Sequence, residues 1–214
     1  MKIGIVGSGV VGQTLALGAL KHGDEVMLGT GKLSKYAELK EKTGGRAQVG
    51  SFQEAAQFGD MLVLAVKGTI AENALRVAGI SNFVGKTVID VNNPQTDDPP
   101  EKGVVKFFTT YNESLMERLQ ELAPDVNFVK AFNCIGSELM VNPDFGGIKP
   151  TMFICGNSDS AKQEATKFIE KFGFEVEDLG SVVSARVIEP LSILWQIPGF
   201  QKNQWRHAFK LLKQ

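Results

Sequence analysis

The sequence predicts an α/β fold, in which a doubly wound parallel sheet is followed by a small C-terminal lobe of α+β or helical structure. Short apolar runs alternate with helix-compatible stretches up to about residue 135. The runs at residues 60–66 and 86–91 are almost continuously apolar, which is typical of parallel strands covered on both faces. The pattern changes after residue 135, so we expect two units, residues 1–135 and residues 136–214.

The first thirty residues contain the strongest motif. Residues 3–6 predict a strand, an amphipathic helix follows until Lys21-His22-Gly23, and residues 25–28 predict a second strand. The segment between the first strand and the helix has the spacing G-x-G-x-x-G and consists of Gly7, Ser8, Gly9, Val10, Val11 and Gly12. In this context the spacing indicates the dinucleotide-binding unit of a Rossmann fold.

Each glycine of this motif has a physical role. Gly7 permits the tight turn after the strand, Gly9 lets a pyrophosphate approach the backbone, and Gly12 lets the helix pack closely on the sheet. The free N–H groups and the positive dipole end of the helix then face the phosphates. The alternative is an ordinary glycine-rich loop.

The end of the second strand distinguishes NADP(H) from NAD(H). NAD-specific sites place an Asp or Glu there to bond the ribose 2′-hydroxyl, but this strand ends in Leu28-Gly29-Thr30-Gly31-Lys32, with Lys35 close behind. A hydroxyl and two lysines suit a 2′-phosphate, so the sequence favours NADP(H). In the alternative interpretation these residues form a solvated loop that contacts nothing.

Three later loops lie at the carboxyl ends of predicted strands, where doubly wound sheets bind ligands. They contain small residues and amides that could flank a nicotinamide ring or bond a substrate. The residues concerned are Ala65, Val66, Lys67, Asn92, Asn93, Ala131 and Asn133. Each asparagine could instead be a strand-end turn residue.

Composition narrows the classes of function. The 214 residues carry a formal net charge of -1, so nothing supports nucleic acid or an anionic membrane as a partner. No apolar run is long enough to span a bilayer. The two cysteines, Cys134 and Cys155, form no metal-ligand spacing with either histidine, so we expect no metal site, buried thiols and a cytoplasmic location.

No acid–base or nucleophilic set is evident, so the catalytic residues stay unassigned. His22 lies in a helix-ending turn, His207 lies beside Trp205 and Arg206 near the C terminus, and Lys67 could be a solvated strand-end lysine. A reaction that consists mainly of hydride transfer, in which the protein binds two rings face to face, fits such a sequence.

The chain resembles the NADPH-dependent reductases of the deazaflavin coenzyme F-420, and the nucleotide-binding part of the Steap metalloreductases looks similar. The residues that carry the resemblance are 7–12, 28–30 with the following lysines, 90–94, 152–156 and 184–191. The resemblance covers nearly the whole chain. It departs at Gly31, where archaeal members have an arginine, and at Asn133 and Gly136, where they have a histidine and a proline.

The resemblance implies roles for several positions. Residues 7–12 would hold the pyrophosphate, and Thr30, Lys35 and Lys32 would hold the 2′-phosphate. Val66, Lys67 and Ala131 would lie along the nicotinamide half of NADP(H). An acceptor, a deazaflavin or a flavin, would stack on the nicotinamide near Ile135, Gly136 and Trp195.

Three functions stay open at this point. The first is hydride transfer between NADP(H) and a planar small-molecule acceptor such as a deazaflavin or flavin. The second is NADPH-dependent reduction of an imine or ketone, and the third is a non-catalytic NADPH-sensing module. Residues 182–197 and 201–212 predict two C-terminal helices, whose apolar side chains either pack on the sheet or form a homodimer interface that closes the acceptor pocket.

Overall fold

The computed structural model describes residues 1–214 except for the side chain of Leu33. Six strands form the main sheet: β1 (Lys2–Val6), β2 (Glu25–Gly29), β3 (Gln48–Gly50), β4 (Met61–Leu64), β5 (Thr87–Asp90) and β6 (Asn127–Lys130). All the pairings are parallel, and the strand order is β3-β2-β1-β4-β5-β6. The predicted doubly wound Rossmann sheet is confirmed.

Five helices connect these strands: α1 (Val10–Lys21), α2 (Tyr36–Lys42), α3 (Phe52–Phe58), α4 (Ala71–Ala78) and α5 (Leu115–Leu122). Helices α3 and α5 begin with capping boxes, in which Ser51 pairs with Glu54 and Ser114 with Glu117. Helix α1 begins at Gly9 without a side-chain cap, so its first N–H groups are left for another partner. The strand order reverses between β1 and β4, and α1 starts at that point.

The remaining residues add β7 (Thr151–Ile154), α6 (Asp159–Lys171), β8 (Glu175–Asp178), α7 (Ala185–Ile188) and α8 (Leu191–Lys202). Strands β7 and β8 form a separate parallel pair, and α6 packs against β5 and β6. Phe132 makes edge-on contacts with Phe168, Phe172 and Phe174. The core on this face of the main sheet is therefore shared by residues before and after residue 135.

The C-terminal segment differs from the prediction of two helices separated by Pro198-Gly199. Helix α8 runs through Pro198 and ends at Lys202, and Asn203 caps it with a φ of 52°, in the left-handed region. Residues 203–214 form no helix. Their backbone pairs with β7 instead, since the Thr151 N–H donates to the Phe209 carbonyl and the Leu211 N–H to the Thr151 hydroxyl. The predicted helix over residues 201–212 is therefore wrong.

The C-terminal face that was predicted to form a homodimer interface is only partly covered in the monomer. Val187 and Leu194 are exposed, whereas Trp195 is buried. The homodimer stays a prediction.

A buried ion cluster joins the C-terminal segment to the main sheet. The Lys130 ammonium lies 2.6 Å from Asp90 Oδ2 and 2.8 Å from Glu189 Oε1, and the three side chains are at most 1% exposed. Glu189 also accepts the N–H groups of Leu115 and Met116 at 3.0 Å, at the start of α5. Burial lowers the pKa of Lys130, but the two carboxylates outweigh it and raise that pKa above its ordinary value.

The cluster generates a prediction for stability. Replacement Lys130→Met leaves two buried carboxylates without a cation, so we expect the free energy of unfolding to fall by about 3–5 kcal/mol. Urea unfolding at pH 7 is the measurement. Folding raises the pKa of Lys130. Its contribution to the free energy of unfolding is therefore complete below about pH 10.4, the pKa of an unfolded lysine, and is lost only as the pH rises above that value.

The matched control for this prediction is Lys42→Met, which removes an exposed ion pair with Glu38. We expect it to change the free energy of unfolding by less than about 0.5 kcal/mol. Equal stability of the two variants would contradict the proposed importance of the buried cluster.

Candidate functional site

A cleft of about 790 Å³ opens at the carboxyl ends of the strands, where the strand order reverses. It brings together fourteen of the residues predicted for cofactor binding. These are Gly7, Ser8, Gly9, Val10, Val11, Thr30, Gly31, Lys32, Lys35, Ala65, Val66, Lys67, Asn92 and Asn93. The other two predicted residues, Gly12 and Ala131, are buried and do not line the cleft. Phe52, which the sequence analysis missed, also lines it.

The reason for glycine differs among the three positions of the motif. Gly7 has a φ of +131°, and a Cβ on it would lie 2.0 Å from the Ala65 carbonyl oxygen. A Cβ on Gly12 would lie 2.1 Å from the Gly7 carbonyl oxygen. A Cβ on Gly9 would meet no protein atom within 4 Å, so packing does not require glycine there. The open space beside Gly9 in the cleft is what a bound phosphate would need.

The start of α1 suits an anion. The helix has twelve residues, no side-chain cap and no acidic residue in its first turn. The Gln13 side-chain amide donates to the Ser8 carbonyl at 2.8 Å and so holds the loop against the helix. The free N–H groups and the positive dipole end are therefore directed to the cleft beside Gly9, as a diphosphate requires.

The end of β2 presents a hydroxyl and two lysines. Thr30 is only 4% exposed, and its hydroxyl oxygen accepts the Lys32 N–H at 3.2 Å. Neither Lys32 nor Lys35 forms an ion pair with any residue described. The carboxylates that line the cleft, Asp97 and Asp98, come from the loop after β5, and Asp97 pairs with Lys67. This arrangement suits the 2′-phosphate of NADP(H) better than the unmodified ribose hydroxyls of NAD(H).

At the other end of the cleft, Asn92 holds two loops together. Its amide oxygen accepts the Val66 N–H at 3.0 Å, and its amide nitrogen donates to Asp90 Oδ1 at 2.9 Å. The side chain is thus occupied by the protein and positions the backbone of Val66 at the cleft. Ala131 is fully buried, and its N–H donates to the Asp90 carbonyl.

A second cavity of about 200 Å³ adjoins this end of the cleft, and the two share Val11, Val91 and Asn93. Its remaining lining residues are Phe132, Asn133, Ile135, Met140, Ser192, Trp195, Gln196 and Trp205. Three of the four residues predicted for the acceptor pocket are among them. The fourth, Gly136, lies behind Trp195, and a Cβ on it would come within 2.8 Å of the indole.

Aromatic residues of the C-terminal segment form one wall of this second cavity. The Trp195 indole N–H donates to the His207 carbonyl at 2.9 Å, and the His207 ring stacks on Trp195 with centroids 5.1 Å apart. Trp205 packs against Gly199, where a Cβ would lie 2.2 Å from its ring. The sequence pattern did not predict Trp205 as a lining residue, because that pattern predicts a helix over residues 201–212.

The chain also turns sharply where β6 reaches this cavity. Phe132 has a φ of 56°, which is rare for a bulky side chain, and its N–H donates to the Met152 sulfur at 3.0 Å. The surrounding phenylalanines hold it in that conformation. A strained backbone conformation of this kind persists only where the surrounding structure stabilises it. Such residues are concentrated at functional sites.

The described residues contain no helix that combines the length and apolar character needed to cross a membrane.

The contrast between Gly9 and Gly12 gives a prediction. In Gly9→Ala the new methyl group enters the space for the phosphate, so we expect the Kd for NADPH to rise about tenfold or more. The free energy of unfolding should change by less than about 1 kcal/mol, since the methyl group meets no protein atom. Cofactor fluorescence titration and urea unfolding measure the two quantities.

Gly12→Ala is the comparison variant, because its methyl group would collide with the Gly7 carbonyl. We expect it to lower the free energy of unfolding by about 1–3 kcal/mol. If Gly9→Ala instead bound NADPH as tightly as the wild type, the glycine loop would not be the phosphate site.

Comparisons with known proteins agree with this geometry. Residues 2–94 match the family model described as NADP oxidoreductase coenzyme F420-dependent. Metalloreductase STEAP3 of Rattus norvegicus is 30% identical over 203 residues, which cover 92% of this chain and 38% of that protein. The chain therefore spans less than two fifths of the length of the curated relatives it matches.

Solved structures extend the comparison to the whole chain. The structure of an Arthrobacter sp. FB24 protein assigned as an F420-dependent NADP reductase has a TM-score of 0.91 and 28% identity, with 100% of both chains covered. An imine reductase from Aspergillus terreus has a TM-score of 0.65 and 18% identity over 93% of this chain and 62% of that one, which shows a shared fold.

The sequence motif and the full-length structural match together confirm the predicted resemblance. The chain is therefore similar to coenzyme F420-dependent NADP oxidoreductases, by sequence over residues 2–94 and by fold over its whole length.

Proposed function

We propose that this oxidoreductase transfers a hydride between NADP(H) and a planar acceptor such as a deazaflavin, coenzyme F-420, or a flavin. The observation that carries the proposal is the composition of the second cavity. None of its described lining residues is an acid, a base or a tyrosine. The Ser192 hydroxyl is itself occupied, because it donates to the Glu189 carbonyl at 2.7 Å.

This composition favours a ring acceptor over an imine or a ketone. Reduction of a ketone produces an alkoxide, which needs a proton donor placed beside the reacting carbon and oxygen. A deazaflavin or flavin spreads the charge over its ring system, and solvent can supply the proton at a ring nitrogen. The aromatic wall of Trp195 and Trp205 also suits a flat ring.

The residues of the cleft would bind and orient NADP(H), which supplies the hydride from its nicotinamide. The glycine loop and the start of α1 hold the diphosphate, and Thr30, Lys32 and Lys35 hold the 2′-phosphate. Val66 and Lys67 line the cleft, and the Val66 N–H donates to Asn92, the residue before Asn93, which the cleft shares with the second cavity. Orientation of the two rings is then the main contribution of the protein to the rate.

Cofactor preference tests the binding half of the proposal. In the double variant Lys32→Ala/Lys35→Ala we expect the Kd for NADPH to rise by on the order of tenfold, with little change for NADH, because only NADPH carries the 2′-phosphate. The NADPH preference of the wild type should shrink as ionic strength rises.

The control is Lys40→Ala/Lys42→Ala on α2, which changes the net charge equally and should leave both dissociation constants unchanged. Equal binding of NADH and NADPH by the wild type would refute the assignment of the 2′-phosphate site.

Anaerobic oxidation of NADPH with coenzyme F-420, and in parallel with FMN, tests the acceptor half. We expect rapid, saturable reduction of at least one acceptor. Trp195→Phe removes the indole N–H bond to His207, so it should slow acceptor reduction about tenfold while the Kd for NADPH stays unchanged.

Tight NADPH binding without reduction of either acceptor would contradict this proposal and favour the NADPH-sensing alternative. Reduction of an imine or a ketone, but of neither ring acceptor, would favour the alternative of an NADPH-dependent imine or ketone reductase.

A further inference from the structure

The side chain of Asn133 lies at the junction of the β6 turn and the second cavity. It follows Phe132, whose left-handed backbone turns the chain there. Asn133 lines the cavity and is only 6% exposed. Its position is therefore fixed by the same turn that closes one side of the cavity.

Hydrogen bonds fix the orientation of the Asn133 amide. Its nitrogen donates to Asn93 Oδ1 at 3.1 Å and to the Ile188 carbonyl at 2.9 Å. Asn93 in turn donates from its own amide nitrogen to the Asn133 carbonyl at 2.8 Å. A flipped amide would place the Asn133 oxygen against two acceptors, so the assignment of nitrogen and oxygen is determined by these partners.

The amide oxygen of Asn133 takes no part in these hydrogen bonds. Asn133 Oδ1 is buried and has no hydrogen-bond partner among the residues described. Burying an acceptor without a partner costs free energy, and a ligand that supplies a donor removes that cost. The other polar side chains of the cavity are less available, since Ser192 bonds Glu189 and Gln196 contacts Gln95.

The size of the second cavity limits which ligands can place a hydrogen-bond donor beside Asn133 Oδ1. Its volume of about 200 Å³ is below the range of about 300–1,000 Å³ that is usual for sites enclosing a whole drug-sized ligand. It opens onto the cofactor cleft through Val11, Val91 and Asn93. A flat acceptor can therefore insert one ring edge here while the rest of its ring system lies in the cleft.

We propose that Asn133 Oδ1 accepts a hydrogen bond from a ring N–H at the inserted edge of the acceptor. Asn133 is then a specificity-determining residue, which selects flat heterocycles with an imide or amide N–H at the edge and rejects those alkylated at that nitrogen. The pyrimidine ring of flavins and deazaflavins has such an N–H. The inference rests on the proposed function for the choice of acceptor class.

The test compares lumiflavin with 3-methyllumiflavin, which differ only by a methyl group on this nitrogen. Binding of each to the protein saturated with NADP⁺ is measured by quenching of flavin fluorescence, and NADPH oxidation by each is measured separately. We expect the wild type to bind lumiflavin about 10- to 100-fold more tightly than the methylated compound. In Asn133→Ala the preference should fall to about twofold or less.

The comparison within the wild type needs no variant, so it stands even if Asn133→Ala does not fold. Preferential binding of lumiflavin without turnover would support the role of Asn133 and overturn the proposed function. Turnover of both flavins with equal affinities would overturn the role of Asn133 and leave the proposed function in place. Failure of both flavins to bind, or a preference that persists in Asn133→Ala, would also overturn it.

Discussion

The buried cluster of Asp90, Lys130 and Glu189 is the interaction on which the site depends. It joins the ends of β5 and β6, the start of α5 and the junction of α7 with α8 at a position without access to water. A single cation faces two carboxylates, Asn92 donates to Asp90 Oδ1, and the helix N–H groups of Leu115 and Met116 donate to Glu189. Buried ions are favourable only when they are paired and also hydrogen-bonded. The cluster therefore specifies one arrangement of these five elements.

Both halves of the site are built on this cluster. Lys130 donates to the Asn92 carbonyl and Asp90 accepts from the Asn92 amide, which in turn holds Val66 at the cleft. On the other side, Glu189 follows Ile188, whose carbonyl accepts from Asn133. Loss of any member would shift the wall of the cleft and the amide of the second cavity together. Glu189, in the segment 184–191 that carries part of the resemblance, thus has a structural explanation.

Most of the residues that line the cleft could be predicted from the sequence, because their positions are set by local features. A glycine loop, the start of a helix and the end of a strand follow one another within about thirty residues, and each reflects a short-range constraint. Lys130 was not singled out, because its partners are 40 and 59 residues away and strand periodicity does not report ion pairing. Trp205 was misplaced for a related reason. The spacing of apolar residues in 201–212 fits a helix, but pairing of the backbone with β7 gives an extended tail.

The two halves of the site use opposite physical chemistry. The cleft presents lysines and a helix dipole, so the affinity for its ligand depends on charge and is weakened by salt. The second cavity is lined by aromatic side chains and by Asn133, whose amide oxygen has no partner among the residues described, so on our proposal its selectivity depends on shape and on a single hydrogen bond. Trp195 is held there by its hydrogen bond to the His207 carbonyl and by stacking on the His207 ring. With the proposed function, a site divided in this way would hold a charged donor firmly and leave the choice of acceptor to a few uncharged side chains, of which Asn133 has the only buried amide oxygen left without a partner among those described.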